Sequence, residues 1–498
     1  MLDPAVASQP SSRGLYWLIA LASLLIALVS AVPYAGSWND GSRLAAIESI
    51  TDYGTLSIDD SIFVAPVFLQ KGAPPPYGPD NVRANTRGTL DRLLIDGHWY
   101  SDKPYVMQVM LAGVYKAMQV TTGLRANRRP DLFSYAMTVV SNGLSLIVFA
   151  LAGFVTARRI LATDRSALLV TAAFVLGTGA VVYTRHVNSS LPVTAVMMVI
   201  VAVLTCRVND QGELDLRGRR VASLGLLLGL AYALETATGG LLCLAVGLLV
   251  AWQCWLRDRK RWHLPILLAL TALPFIALHH AFNYRISGMF APANSNRAFL
   301  DWPGSFLHHG YMTGVWYHAS VGDAINYWLD LMFGRKGFLW LNPAMMLGVI
   351  GGVRMALPGP RRLTIPGASR GQRAILWSML AWGMALWLLY GALSRDRSGL
   401  CYGIRWFLPM LAPGLFAVAL TVRHYSAGGR ALAALTAGGL VLAGIGWVIG
   451  PWDNVRSTYM WPVVIAMMLA WGAVTFFDQL DKFRTRRATK TGAAGPTR

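Results

Sequence analysis

The stretch Trp38-Asn39-Asp40-Gly41-Ser42-Arg43, followed further on by Asp96-Gly97-His98-Trp99-Tyr100-Ser101-Asp102-Lys103-Pro104, gathers carboxylates, cations and aromatic rings in one segment. That segment comes directly after an apolar run, Leu15 to Val32, long enough to cross a bilayer. Ionisable groups beside lipid are costly unless they serve a purpose. The pairing therefore points to a membrane protein that captures or transforms a lipid-linked molecule at the membrane face.

The rest of the chain agrees. Of its 498 residues 55% are hydrophobic and 14% charged, which excludes disorder and a string of soluble domains and calls for repeated apolar helices. The formal charge of +20 raises nucleic acid as a partner. Its Lys and Arg, however, fall in short clusters between apolar runs, where the positive-inside bias puts them, so nucleic acid is set aside. Cys206, Cys243, Cys254 and Cys401 lie within or at the ends of apolar runs, without CxxC or zinc spacing, which argues against a disulfide framework or a thiolate metal site. Arg13 ahead of Leu15, with no small-residue cleavage site, marks a retained first helix and not a signal peptide.

With Arg13 inside, the first span delivers residues 34–131 to the outer face as one long loop. Within it Leu44, Ile47 and Ile50 recur at helical spacing up to Gly54, the pattern of a short amphipathic helix on the membrane surface. Residues 55–60 alternate like a strand, Pro74-Pro75-Pro76 with Pro79 hold an extended excursion, and Asp96-Gly97 suits the tight turn of a hairpin. Pro104 opens a helix to about residue 120 that is too polar, at Gln108 and Lys116, to cross, and it belongs beside the membrane. Spans starting near 132, 166 and 191 leave Arg158 to Arg165 inside and Arg185 to Ser190 outside. The basic clusters at 217–220, 257–261, 354–373, 423–430 and 482–498 then fall inside in turn, giving about twelve spans with both termini cytoplasmic. Glu235 to Gly240, the aromatic-rich loop 284–330 and the turn 451–456 are then outside. The organisation expected is a module of residues 1–206, a second transmembrane module of 207–480 and a basic tail of 481–498, without the internal repeat of transporters.

Asp40 stands ahead of the surface helix, whose N-terminal dipole and free amides keep a carboxylate ionised. There it serves as a general base for an acceptor hydroxyl or amine, or as a helix cap. Lys103, with Pro104 fixing the chain behind it, reads as a phosphate ligand or as the partner of Asp102. Arg335, Lys336 and Arg405 are further outer-side cations, where the charge rule asks for none; together they clamp a phosphate, or singly they anchor the chain at the interface. Glu235 is a second acid or a satisfied helix-end carboxylate. His186, His279, His280, His308 and His309 match no metal spacing, and Trp302, Tyr311, Trp316 and Tyr317 suit sugar stacking or an aromatic belt alike.

The order of these motifs resembles the first outer loop of the GT-C fold glycosyltransferases, in particular the branch of aminoarabinose lipid A transferases and protein O-mannosyltransferases. The resemblance rests on Asn39-Asp40-Gly41-Ser42-Arg43-Leu44-Ala45-Ala46-Ile47-Glu48, Gly54-Thr55 and Trp99-Tyr100-Ser101-Asp102-Lys103-Pro104. It extends over residues 15–206 and beyond them is a likeness in the number of spans. It implies an all-α polytopic membrane protein with juxtamembrane helices in the first outer loop. It further implies Asp40 as catalytic carboxylate, Lys103 on the donor phosphate, Asp102 as the residue nearest a divalent cation where the branch uses one, and Arg43 and Tyr100 in support. Where the branch carries a second Asp before a Pro, this chain has His186 and Asn188 ahead of Pro192, and the soluble C-terminal domain of several members has no counterpart. The expectation is a glycosyltransferase of the bacterial inner membrane. It would move a sugar from a polyprenyl-phosphate donor to a glycan, lipid or protein acceptor on the outer face, with inversion at the anomeric carbon. A flippase for a lipid-linked sugar and a non-catalytic scaffold of envelope assembly are the alternatives.

Overall fold

The computed structural model describes residues 13–206, 214, 216–257, 259–305, 314–356, 368–399, 401–425, 428–452 and 460–492. His308, His309, Tyr311 and parts of the 354–373 cluster, the 451–456 turn and the tail lie outside the described residues. Apart from one two-stranded hairpin, the regular elements of the described chain are helices. In order it runs α1 (Arg13–Ser30), α2 (Trp38–Glu48), α3 (Val82–Arg87), strands β1 (Arg92–Ile95) and β2 (His98–Ser101), α4 (Tyr105–Thr122), α5 (Pro130–Thr138) and α6 (Leu144–Ile160). Then follow α7 (Asp164–Leu176), α8 (Gly179–Val182), α9 (Ser190–Thr205), α10 (Gly218–Leu234), α11 (Thr236–Arg257) and α12 (His263–Ser287). The last are α13 (Val321–Phe333), α14 (Phe338–Leu341), α15 (Ala344–Ala356), α16 (Arg370–Leu393), α17 (Leu411–His424), α18 (Gly428–Ile449) and α19 (Met460–Gly492).

Eight helical stretches among the described residues are long and apolar enough to cross a membrane, and a ninth if the pair Val321–Leu341 and Ala344–Met355, bent by 107°, counts as one. The chain is a polytopic helical membrane protein, with fewer described long apolar helices than the twelve spans expected. One reason is local: α7 ends at Gly177 and Thr178 caps α8 with its hydroxyl, so the crossing read from 166 to 184 is broken. Pro130–Ile160 forms one long rod, in which α5 and α6 join through a π-helical turn. Elsewhere small residues bring helices close. A side chain at Gly225 or Gly229 of α10 would run into the α12 carbonyls of Leu268 and Ala272 at 2.4 and 2.3 Å, and this contact fixes where the end of α10 arrives.

The two ends of the Pro130–Ile160 rod differ. Near residue 160 the Arg423 guanidinium donates to the Ile160 carbonyl (3.0 Å) and Arg159 to that of Ala202 (2.7 Å), so basic residues collect there. The other end carries the 34–129 segment. Here α2 departs from expectation: every residue from Asn39 to Glu48 is buried, so it is a core helix and not a surface one. The excursion that follows folds over it, Thr89 donating to the Trp38 carbonyl (2.8 Å) and Tyr77 filling the space beside Gly41. Residues 55–60 are a turn and not the strand predicted, yet they dock on the hairpin, Ile58 N–H donating to Trp99 O (2.8 Å) and Trp99 N–H to Asp59 (2.7 Å). The hairpin itself is antiparallel, Arg92 opposite Ser101 and Ile95 opposite His98, with Asp96 and Gly97 at φ 51° and 81°. Two left-handed residues match the strand twist.

Candidate active site

Where the 34–129 segment meets the bundle, a cavity of about 350 Å³ is lined by residues from across the chain, among them Asn39 and Arg43, Asp102 and Lys103, Asn188 to Ser190, Glu235, and Arg405. Asn39 and Arg43 reach it together because residues four apart share a helix face. Asp40, one step further round α2, does not line it. Ser37 caps α2, and Asp40 turns back to complete a capping box. Its carboxylate accepts from Ser37 N–H (2.8 Å), the Ser37 hydroxyl (2.6 Å) and Gly36 N–H (2.7 Å), and His186 Nδ1 lies 3.1 Å away. Asp40 is 1% exposed; it and His186 stand behind the cavity wall.

Lys103 Nζ lies 2.7 Å from Asp102 and 2.8 Å from Asp91. Burial lifts the Asp102 carboxyl above the usual range, with the Lys103 charge opposing. The Asn39 amide, oriented with its oxygen toward the cations, accepts from Arg405 Nη1 (3.0 Å) and Lys103 Nζ (3.2 Å) at once, which brings two of the predicted phosphate ligands together. Arg405 is carried by a tied loop: its N–H donates to Ser398 Oγ (3.0 Å), and its guanidinium lies 5.6 Å from the Trp452 ring centre.

Arg43 donates through Nη2 to Ser189 Oγ (3.0 Å), at the start of α9, while its Nε and Nη1 are buried without a partner. Burial pulls its pKa down to about 10, with the Glu235 charge opposing. Glu235, between α10 and α11, accepts weakly from the same Ser189 hydroxyl (3.5 Å); burial pushes its pKa up, against Arg405 and Arg43. Asn188 spends both amide hydrogens on its own loop. Its Nδ2 donates to the carbonyls of Tyr183 (2.9 Å) and His186 (2.8 Å), and its Oδ1 accepts from Leu191 N–H (3.2 Å).

Of the residues expected from sequence, the cavity thus unites Arg43, Asp102, Lys103, Asn188, Glu235 and Arg405. Arg335 and Lys336 do not reach it. They sit in the turn between α13 and α14, Arg335 exposed and Lys336 Nζ donating to the Gly399 carbonyl (2.9 Å). Tyr100, paired across the hairpin with Leu93, is also off the wall. Residues that the sequence reading passed over complete it. Asn39 was legible from its spacing to Arg43. Tyr390 and Trp406, whose rings stack at 4.4 Å and 7°, carried no signal. Among the described residues no three His, Cys, Asp or Glu side chains converge. With Asp102 engaged by Lys103, the side chains present do not fit a protein-held divalent cation.

No protein-family model and no curated protein sequence matches the chain. Among solved structures, ArnT from Cupriavidus metallidurans bound to undecaprenyl phosphate aligns over 93% of this chain and 76% of its own, with a TM-score of 0.50 at 12% identity. Its apo form gives 0.48 over 93% and 77%, also at 12% identity. The apo oligosaccharyltransferase of Archaeoglobus fulgidus gives 0.41 at 9% identity, over 93% of this chain and 56% of its own. The likeness to undecaprenyl phosphate-bound ArnT gives the chain the GT-C fold that its motifs implied.

Proposed function

We propose that this chain is a membrane glycosyltransferase that passes a sugar from a polyprenyl phosphate to an acceptor held in the cavity. The observation that carries the reading is cationic. Arg43 is buried with two unmade hydrogen bonds, Arg405 is half-buried beside Lys103, and among the described residues neither arginine has a carboxylate within 4.0 Å. A buried guanidinium left unpaired costs several kcal/mol, and a phosphate, which takes bidentate N–H pairs, relieves that cost. The undecaprenyl phosphate in the ArnT structure supports the same ligand class here.

In this mechanism the bond between the anomeric carbon and the phosphate oxygen breaks as the acceptor's oxygen or nitrogen bonds to that carbon from the opposite side, inverting it. Arg43, Arg405 and Lys103 stabilise the charge that develops on the departing prenyl phosphate. Glu235, which burial makes the stronger base, receives the acceptor's proton. Asp40, with His186, fixes the first turn of α2 and so holds Asn39 and Arg43 on the wall. On this reading the cavity faces the outer side and the Arg159 and Arg423 end of the Pro130–Ile160 rod is cytoplasmic.

The test uses the purified chain in lipid nanodiscs with labelled polyprenyl-phosphate sugars. Arg43→Gln and Arg405→Gln are each expected to weaken prenyl-phosphate binding about tenfold or more, ~1.4 kcal/mol. Glu235→Gln is expected to keep binding and lose transfer. If Asp40→Asn loses transfer with donor affinity intact while Glu235→Gln turns over, the base is Asp40. Passage of the lipid-linked sugar across the bilayer without transfer would mean a flippase.

A further inference from the structure

Among the described residues, the large apolar side chain most open to solvent lies in the 34–129 segment and not in a membrane-spanning helix. Val67 is 85% exposed and its neighbour Phe68 45%. Both sit on the helical turn Pro66–Phe68, closed by Phe68 N–H to Ala65 O (3.1 Å) and Leu69 N–H to Pro66 O (3.0 Å), so they are held outward by ordered backbone.

Their position is fixed by the bond from Gln70 N–H to the Asn127 carbonyl (3.0 Å), three residues before the Pro130–Ile160 rod begins. That rod has 31 residues, about 46 Å at 1.5 Å each, the thickness of a bilayer with its headgroups. Asn127 and the turn beside it are therefore at headgroup level. The charges nearby sort themselves. Arg125 is paired with Asp52 (2.8 Å) and Arg129 with Asp131 (2.7 Å). Exposed Lys71 and Arg128 have no carboxylate partner among the described residues.

We propose that Pro66–Leu69 is a lipid-inserted foot: Val67 and Phe68 enter the interface next to α5, and Lys71 and Arg128 meet anionic headgroups. A lipid surface is favoured as the occupant because the turn is tied at Asn127 to the segment that leads into a membrane-crossing helix, whose own Leu132 is exposed, and because the spare charge is positive. This assignment stands whether or not the cavity transfers sugar.

The experiment is spin labelling of the full chain in phosphatidylcholine vesicles, with and without phosphatidylglycerol. Val67→Cys carries the nitroxide, Asp80→Cys on the same segment is the aqueous control, and the labelled parent spectrum is subtracted for native cysteines. The expected result is a label at 67 more accessible to oxygen than to a nickel chelate, the reverse of the control. The label should also sit deeper when phosphatidylglycerol is present, and the paired change Lys71→Gln and Arg128→Gln should remove that increment. Equal nickel access at 67 and 80 would overturn the proposal. So would a label shielded from both reagents, which would place a protein partner or a second copy on the turn.

Discussion

At the scale of single residues, burial decides which ionisable groups act and which hold structure. Glu48 is wholly buried in α2, accepting from the Ser61 hydroxyl (2.6 Å) and Ile62 N–H (3.1 Å) with its other oxygen unpartnered. Burial raises its pKa from 4.5 to about 8, and nearby Asp52 adds to the rise. The folded chain thus binds this proton more tightly than the unfolded one. The contribution is complete below pH 4.5 and is lost as pH climbs toward 8. Glu48→Gln is expected to flatten that decline, seen as a smaller loss of thermal stability across the same interval; an unchanged slope would exclude Glu48 as its source. Residue type was legible here and direction was not. Asp40 and Arg43 are three positions apart in one motif, but only a helix with a defined cap turns one toward its own N-terminus and the other into the cavity.

Whole elements were readable where local chemistry determines them. Asp96-Gly97 allows the left-handed pair a two-residue hairpin needs, and Ser37 with Asp40 makes a capping box, so the hairpin and the start of α2 follow from adjacent residues. The burial of α2 was not readable, because it depends on the 55–104 excursion lying over it. The Arg335-Lys336 pair failed for the same reason, since its turn folds onto the loop bearing Gly399. Two expectations belong at this level. Ser37→Ala removes the α2 cap and should cost about 1 kcal/mol in denaturant unfolding. It should also weaken prenyl-phosphate binding by loosening Asn39 and Arg43, whereas Ser37→Thr restores both. If Ser37→Ala lost stability and kept full affinity, the cap would have no part in placing the cavity wall.

For the molecule as a whole, the alternation of apolar runs and basic clusters revealed a polytopic bundle, and the motif order implied its GT-C fold. The likeness to undecaprenyl phosphate-bound ArnT extends over 93% of the chain, well past the 15–206 stretch that carries the motifs. The span number was less legible, since Gly177 breaks one expected crossing and a 107° bend interrupts another. Sidedness can be measured directly. In right-side-out vesicles an impermeant maleimide should label Asp80→Cys from outside and reach Arg165→Cys only after permeabilisation; labelling of both from one side would undo the topology. The cavity has its own corollary. Its wall includes Pro292, Asn294 and Ser295, and Asn294 is fastened to the Asp102 carbonyl (3.0 Å). Whatever enters beside Lys103 therefore meets the loop after α12 as well, and a change in that loop would be felt at the Asp102-Lys103 pair.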